Sequence, residues 1–436
     1  MGSVDKDIWR LAWPCIVGNI SIPLLSLTDV AISGHLRGAV SIGAISIGST
    51  LFNTLYWVMG FLRMGSSGLS AQAVGRGDNP GNANILARSL FLALSASLAF
   101  IIAAPLILQA AFLFMKPEAQ VADSAALYFR VLIYGAPAVL AQYSITGWMI
   151  GNQDTKTPVI VAIIQNIGNI ILSLLFVFLL DMDVKGLALG SLIAQYSGLL
   201  LAFLMMRKRY SSYLRLLSIK NIWSDSGLRQ FFSVNRDIFL RTLCMVLVTL
   251  FFTTASSWQG TELLAANTLL MQLFLLFSYF MDALAFAAEA LCGKAAGKSS
   301  IQEFTSYLGR LIFNAWGIIG LFTLLYLSFG ENLLGLLTSQ EDVIEDLKPY
   351  IIWGILIPLS GGLAFLWDGV YIGLARSGMM LLSVAVSSTV FLACFLSLRG
   401  TLGNHALWMA FILYLSFRSI IQYLLLGKAK RSSFKT

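Results

Sequence analysis

Asp29 is the residue of this chain best suited to chemistry, because it interrupts a long apolar stretch. The segment SLTDVAISGHL, residues 26–36, surrounds its carboxylate mostly with leucine, valine, alanine and isoleucine. An ionised carboxylate is costly there unless it takes up a proton, binds a cation or has a permanent partner such as Arg63. Pro14 and Pro23 precede the acid and predict a kink in the helix that carries it.

A polar stripe in the segment IIQNIGNIILSLLFV is the second candidate feature. Gln165, Asn166, Asn169 and Ser173 are spaced three or four residues apart and therefore share one face of a helix. Four such groups favour a wet cavity, whereas a single one would favour a hydrogen bond to a neighbouring helix. Further polar residues are expected around the same pocket: Tyr143, Thr146 and Ser191.

The second half of the chain contributes fewer candidate acids. Asp237 follows Arg236 and precedes Arg241 by four residues, which predicts a structural ion pair. Asp282 and Asp368 lie deeper in apolar segments, and the sequence leaves a functional and a structural role open for both. We treat them as secondary candidates.

The remaining reactive residues do not form an enzyme site. His35 and His405 lie near the ends of apolar segments, and the four cysteines have no metal-binding spacing. The sequence has neither a nucleotide-binding loop nor a metalloprotease motif, and we find no paired nucleophile and base. We therefore expect neither enzymatic activity nor a bound metal or cofactor.

Composition identifies the elements that hold these residues as membrane helices. Of the 436 residues, 58% are hydrophobic and 11% are charged, with a mean hydropathy of +0.80. A soluble protein has about 25% charged residues, and a spanning helix needs about 20 apolar ones. The sequence predicts an all-α membrane protein with twelve spans: 11–36, 44–70, 85–113, 124–150, 158–180, 187–206, 231–257, 263–290, 305–329, 347–372, 379–398 and 406–426.

The distribution of lysine and arginine predicts the orientation. These residues are concentrated in the segments that share a side with the N-terminus, including 207–230 and the basic C-terminal tail. Cytoplasmic loops carry such an excess, so both termini are expected in the cytoplasm. The net charge of +8 therefore reflects topology, and we expect no nucleic-acid partner.

The chain also contains a weak internal repeat. GLSAQAVGRGD ends the second predicted span, and AFAAEALCGKAAG ends the eighth; the proline and glycine of the fourth span recur in the tenth. Chance recurrence of small residues would also produce such a pattern. A true repeat predicts a first lobe at 1–206, a cytoplasmic linker at 207–230 and a second lobe at 231–436, related by an axis along the membrane normal.

The sequence resembles the MATE (multidrug and toxic compound extrusion) transporters along essentially its whole length. The similar motifs are TDVAISGHL, LRMGSSGLSAQAVGRGD, GNQDTKTP and QNIGNIILSLLFV, in this order. The segments FLRMGSSGLSAQA and, in the second half, WDGVYIG are most similar to the DinF branch. The resemblance implies twelve helices in two six-helix lobes that form a V.

The resemblance also implies an exchange of organic, often cationic and amphipathic compounds for protons or sodium ions. The family's first-helix acid falls on Asp29, its kink proline on Pro14 and its fifth-helix asparagine on Asn169. Its other pocket positions fall near Tyr143, Thr146 and Ser191. Many relatives carry a second acid where this chain has Ser173, which weakens any sodium site that needs two carboxylates.

We therefore expect a monomeric, proton-coupled multidrug antiporter in a bacterial inner membrane, in contact with lipids, small organic substrates and protons. Asp29 is the expected proton carrier. A sodium-coupled exporter of the same fold is one alternative. A flippase for lipid-linked precursors is another, because Arg63, Arg236 and Arg241 would suit a cationic cavity.

Overall fold

The computed structural model describes residues 2–34, 39–216, 223, 227–335 and 341–434. Some helical positions are described by their backbone alone: 22–27, 29–31, 33–34, 39 and 341–343. Within these ranges all regular secondary structure is helical, which confirms the predicted fold class. Eleven described segments are long and apolar enough to cross a membrane, the first of them Val40–Arg76.

The helices of the two halves of the chain have the following bounds. In the first half they are α1 Ser3–Gly34, α2 Ala39–Met59, α3 Phe61–Arg76, α4 Asn79–Met115, α5 Ala119–Leu132, α6 Ala136–Gly151, α7 Lys156–Leu174, α8 Asp183–Arg209 and α9 Ser211–Leu214. In the second half they are α10 Gly227–Ser257, α11 Thr261–Gly297, α12 Ile301–Gly335, α13 Glu341–Leu347, α14 Ile351–Gly373, α15 Ser377–Leu402 and α16 Asn404–Ser433.

Three predicted spans are interrupted where the sequence alone suggested one continuous helix. The second span divides into α2 and α3 around Gly60, and the fourth divides into α5 and α6 through a 3₁₀ turn at Ile133–Gly135. Pro137 lies in the first turn of α6, where its missing N–H costs no helical hydrogen bond. The tenth span contains the 3₁₀ turn Lys348–Tyr350 between α13 and α14.

The chain forms two compact units. One is Val17–Phe232; the other combines Met1–Ile16 with Ser233–Thr436. The predicted first lobe began at residue 1, whereas the first sixteen residues belong to the second unit, so α1 contributes to both. Asp5 fixes this end of α1 by accepting hydrogen bonds from the Arg310 guanidinium of α12.

The same type of close glycine contact occurs in both units. A Cβ on Gly147 would lie 2.1 Å from the Arg63 carbonyl oxygen, and a Cβ on Gly369 would lie 2.3 Å from that of Ala285. Only glycine allows α6 to approach α3, and α14 to approach α11, so closely. From Gly147 to Gly369 and from Arg63 to Ala285 the offset is the same, 222 residues. The contact therefore repeats in both units, as expected for a true internal repeat.

Candidate functional site

A buried hydrogen-bonded chain joins α7 and α8 in the first unit. The Asn169 amide nitrogen donates to the Ser191 hydroxyl at 3.2 Å, and the Ser173 hydroxyl donates to the Asn169 carbonyl oxygen at 3.1 Å. All three side chains are buried. Three residues predicted from sequence as pocket residues are thus in contact, and each satisfies polar atoms of the next.

A glycine permits this close packing. A Cβ on Gly190 would lie 2.9 Å from the backbone nitrogen of Ser173, so no larger residue fits before Ser191. The backbone of α8 can therefore approach α7 until the short serine side chains reach Asn169. The resulting cluster is polar but uncharged.

Asn166 connects the same face of α7 to α1. Its amide nitrogen donates to the Ser21 hydroxyl at 3.2 Å. One turn earlier in α1, Gly18 faces Val159, whose methyl would lie 3.0 Å from an added Cβ. Gly18 contacts Val159, and Ser21, which comes later in α1, contacts Asn166, which comes later in α7. The two helices therefore run in the same direction at this contact.

The side chains of Asp29 and Pro23 lie outside the described part of the structure. Both positions are within α1, which continues through Pro14 and ends at Gly34. The functional roles predicted for them stay predictions.

Tyr143 and Thr146 lie half-buried on α6, beside the contact between α6 and α3. Tyr143 is close enough to Arg63 of α3 for electrostatic interaction. The neighbouring Ser144 hydroxyl is instead part of a buried serine ladder, in which Ser89 donates to Ser144 at 2.8 Å. Ser144 thus holds α6 against α4, while Tyr143 and Thr146 lie on other faces of the helix.

Gln165 shows why a polar stripe cannot be interpreted as one uniform surface. Its side-chain oxygen is directed at Gly198 of α8, where an added Cβ would lie 2.0 Å away. It therefore fills a packing position against α8, unlike Asn166, which contacts α1. Two adjacent residues of the stripe contact different helices.

The second unit contains a buried ionic cluster around Asp368 of α14. One carboxylate oxygen accepts hydrogen bonds from Arg241 of α10 and, at 2.8 Å, from Arg418 of α16; the other accepts from Gln422 of α16 at 2.7 Å. The exposed fraction is 6% for Asp368, 4% for Arg241 and 1% for Arg418. Two guanidinium groups share one carboxylate, which leaves the cluster with a net positive charge.

The other two acids of the second unit have separate surroundings. Asp237 forms the predicted ion pair with Arg236 at 2.9 Å and accepts a hydrogen bond from Ser377 at 3.1 Å, whereas Arg241 pairs with Asp368. Asp282 lies near Tyr279 on the same helix, α11. Asp237 and Asp368 therefore pair with different arginines.

Comparison with known proteins identifies the family. The MatE family model matches residues 14–175 and again residues 238–398. The chain belongs to the MATE family. The repeated match agrees with the two repeated units, and the predicted resemblance is confirmed.

Individual relatives support the same assignment. This MATE chain is 36% identical to DNA damage-inducible protein F of Escherichia coli strain K12, over 96% of this chain and 91% of that protein. It is 23% identical to a probable multidrug resistance protein NorM of Thermotoga maritima, over 79% and 75% of the two chains. It is a multi-pass membrane transporter of a multidrug-resistance family, and not an enzyme.

Solved structures of other MATE proteins show the same fold. A MATE protein in the bent conformation matches with a TM-score of 0.87 at 20% identity, over 99% of this chain and 97% of that one. An aspartate-to-asparagine mutant of the Vibrio cholerae transporter VcmN matches with a TM-score of 0.87 at 19% identity, over 99% of both chains.

Sequence reasoning missed two interacting groups in this MATE protein. Arg418 and Gln422 lie four residues apart on α16 and therefore share a face, a spacing that could have indicated a common acidic partner. A second cluster forms at the end of α8, where Asp154 accepts a hydrogen bond from Tyr210 at 3.2 Å and pairs with Arg209 at 2.9 Å. Burial and the neighbouring Asp154 carboxylate raise the pKa of Tyr210.

Proposed function

We propose that this MATE protein is a proton-coupled antiporter that exports organic, cationic amphipathic compounds, with Asp29 as the proton carrier. The observation that carries the proposal is the hydrogen bond between Asn166 and Ser21, because it joins the polar face of α7 to the helix that contains Asp29. A predicted pocket and a predicted carrier thus lie on directly contacting helices.

The helix register supports this arrangement. Position 29 follows Ser21 by eight residues, which places it about 80° around α1 from Ser21 and within the same broad stripe of the helix. Eight residues advance a helix by about 12 Å, and the seven residues from Asn166 to Ser173 advance it by about 10 Å. Because α1 and α7 run in the same direction, the backbone at Asp29 is expected at about the depth of Ser173.

The charge arrangement favours a proton over sodium. The described pocket groups Asn169, Ser173 and Ser191 are neutral, so Asp29 is the one carboxylate proposed for this site. In the second unit, Asp368 is already neutralised by two guanidinium groups. Sodium needs several oxygen ligands, of which Asp29 and Asn169 would supply some, whereas one carboxylate in an apolar setting is sufficient to bind a proton.

The proposed cycle uses the two protonation states of Asp29. The protonated acid is neutral and packs in an apolar environment, whereas the ionised acid favours water or a cation. A proton and a cationic substrate then compete for one carboxylate, which couples their opposite movements. Asn166, Asn169, Ser173, Tyr143, Thr146 and Ser191 form the proposed surroundings of the substrate.

We further propose that the protein acts as a monomer in a bacterial inner membrane with both termini in the cytoplasm. The proposed alternating-access cycle keeps 1–206 and 231–436 as its two lobes, with 207–230 as their linker. Residues 1–16 are then the part of the first lobe that belongs to the compact unit containing Ser233–Thr436. The flippase alternative has less support, because Arg236 and Arg241 are each paired with a carboxylate of their own unit.

Proteoliposomes test the coupling ion. We expect export of a fluorescent organic cation when a pH gradient is imposed without sodium, and no export when a sodium gradient is imposed at equal pH on both sides. Export that follows only the sodium gradient would establish the sodium-coupled alternative. Absence of export under either gradient, with protein that melts normally, would refute drug efflux for the tested class.

A further inference from the structure

A crevice between α4 and α5 lies apart from the proposed coupling pocket. It has a volume of about 640 Å³, within the usual range of roughly 300–1,000 Å³ for small-molecule sites. Its apolar wall includes Ile101, Leu108 and Phe129, and Pro105 interrupts the hydrogen bonding of α4 beside it. Ala122 and Ala126 leave space on the side of α5.

Two opposite charges line this crevice without binding each other. Asp123 and Arg130 are exposed, and neither forms a hydrogen bond or ion pair within the described ranges. They are seven residues apart on α5, so they share one face about 10 Å apart along the axis. Helical side chains lean toward the N-terminus, so the long Arg130 side chain extends toward Asp123.

The surroundings indicate a ligand from the bilayer. The exposed surface of α4 beside the crevice is strongly apolar: Leu106 is 68% exposed and Leu113 is 71% exposed. An exposed arginine on a membrane helix is costly unless a polar partner reaches it. A ligand with one acyl chain, one anionic group and one cationic group would cover all three parts of the lining.

We propose that this crevice binds one phospholipid with a zwitterionic amine headgroup, of the phosphatidylethanolamine class. Its phosphate accepts hydrogen bonds from Arg130, and its ammonium donates to Asp123. Gln109 adds a further polar group, and an acyl chain packs along Ile101 and Leu108. The site is separate from the proposed transport pocket, so its test does not depend on the coupling mechanism.

Native mass spectrometry of the full chain in detergent, titrated with dioleoyl phosphatidylethanolamine or dioleoyl phosphatidylglycerol, tests the proposal. The wild-type protein should retain one phosphatidylethanolamine about tenfold more tightly than phosphatidylglycerol, the effect of one charge-assisted hydrogen bond. Asp123→Asn should abolish this preference. Arg130→Gln should weaken both lipids about tenfold, because both contain a phosphate.

Two further variants make the test decisive. Arg399→Gln removes an exposed cation of the other unit and should retain both lipids as the wild type does. Ala104→Phe fills the crevice, keeps both charges and should lose both lipids, which decides the case even if Arg130→Gln does not fold. Wild-type retention by Ala104→Phe, or an unchanged headgroup preference in Asp123→Asn, would overturn the proposal.

Discussion

Replacing Asp368 with asparagine should destabilise the second unit strongly. The substitution keeps the shape of the side chain but removes the negative charge that contacts both Arg241 and Arg418. Both guanidinium groups then remain buried without this ionic partner. Removing one member of a buried ion pair costs about 3–5 kcal/mol, mostly from the charge left behind.

The size of the effect can be tested by restoring the charge balance. For a unit of this size, a loss of about 3–5 kcal/mol lowers the melting temperature by roughly 6–20 °C. Adding Arg418→Met to Asp368→Asn returns the cluster to its original net charge and should recover part of the loss. Asp237→Asn is the matched control, and it should have a smaller effect because the Arg236 side chain is 69% exposed.

Thermal unfolding in detergent, followed by tryptophan fluorescence, is measured for the wild type, Asp368→Asn, Arg418→Met, the double variant and the Asp237→Asn control. We expect a coupling of about 1–3 kcal/mol between positions 368 and 418 in the double-mutant cycle. Two results would refute the claim that the cluster stabilises this unit. One is strictly additive losses of stability in the cycle. The other is an Asp368→Asn protein that melts within about 2 °C of the wild type, which corresponds to less than about 1 kcal/mol.

Three further changes test other parts of the structure. Asn169→Leu should abolish transport in proteoliposomes. It should lower the free energy of unfolding by only about 1–3 kcal/mol, because it removes the buried hydrogen bonds of Asn169. A larger loss of stability with intact transport would indicate a purely structural role. Gly147→Val should prevent normal assembly, seen as aggregation in size-exclusion chromatography, because its side chain would overlap the Arg63 carbonyl. Ser433→Cys should resist an impermeant thiol reagent added to intact cells, and labelling from outside would contradict cytoplasmic termini.

Hydropathy and helical spacing were sufficient to predict much of this fold. The apolar runs predict the membrane helices because length and composition alone determine what can cross a bilayer. The spacing of Asn169 and Ser173 predicts their mutual contact because residues four apart on a helix are neighbours. The recurrence of Gly151 at Gly373 indicates the internal repeat because both glycines lie against a backbone carbonyl oxygen, where a larger residue does not fit.

The contacts between distant helices could not be predicted in this way. Arg418 and Asp368 are 50 residues apart on helices whose facing sides the sequence does not specify. Ser144 resembles a cavity residue by type, yet it binds Ser89 because α4 packs against that face of α6. The crevice beside Arg130 is lined by residues of α4 and α5, and no local pattern in either helix indicates it.

Proton release on substrate binding tests the central claim most directly, because the account makes a proton and a cationic substrate compete for Asp29. Purified protein in weakly buffered detergent solution, mixed with an organic cation near the midpoint of its pH dependence, should release up to about one proton per bound cation. Asp29→Asn should melt like the wild type and release none. The same proton release from Asp29→Asn as from the wild type would contradict the account.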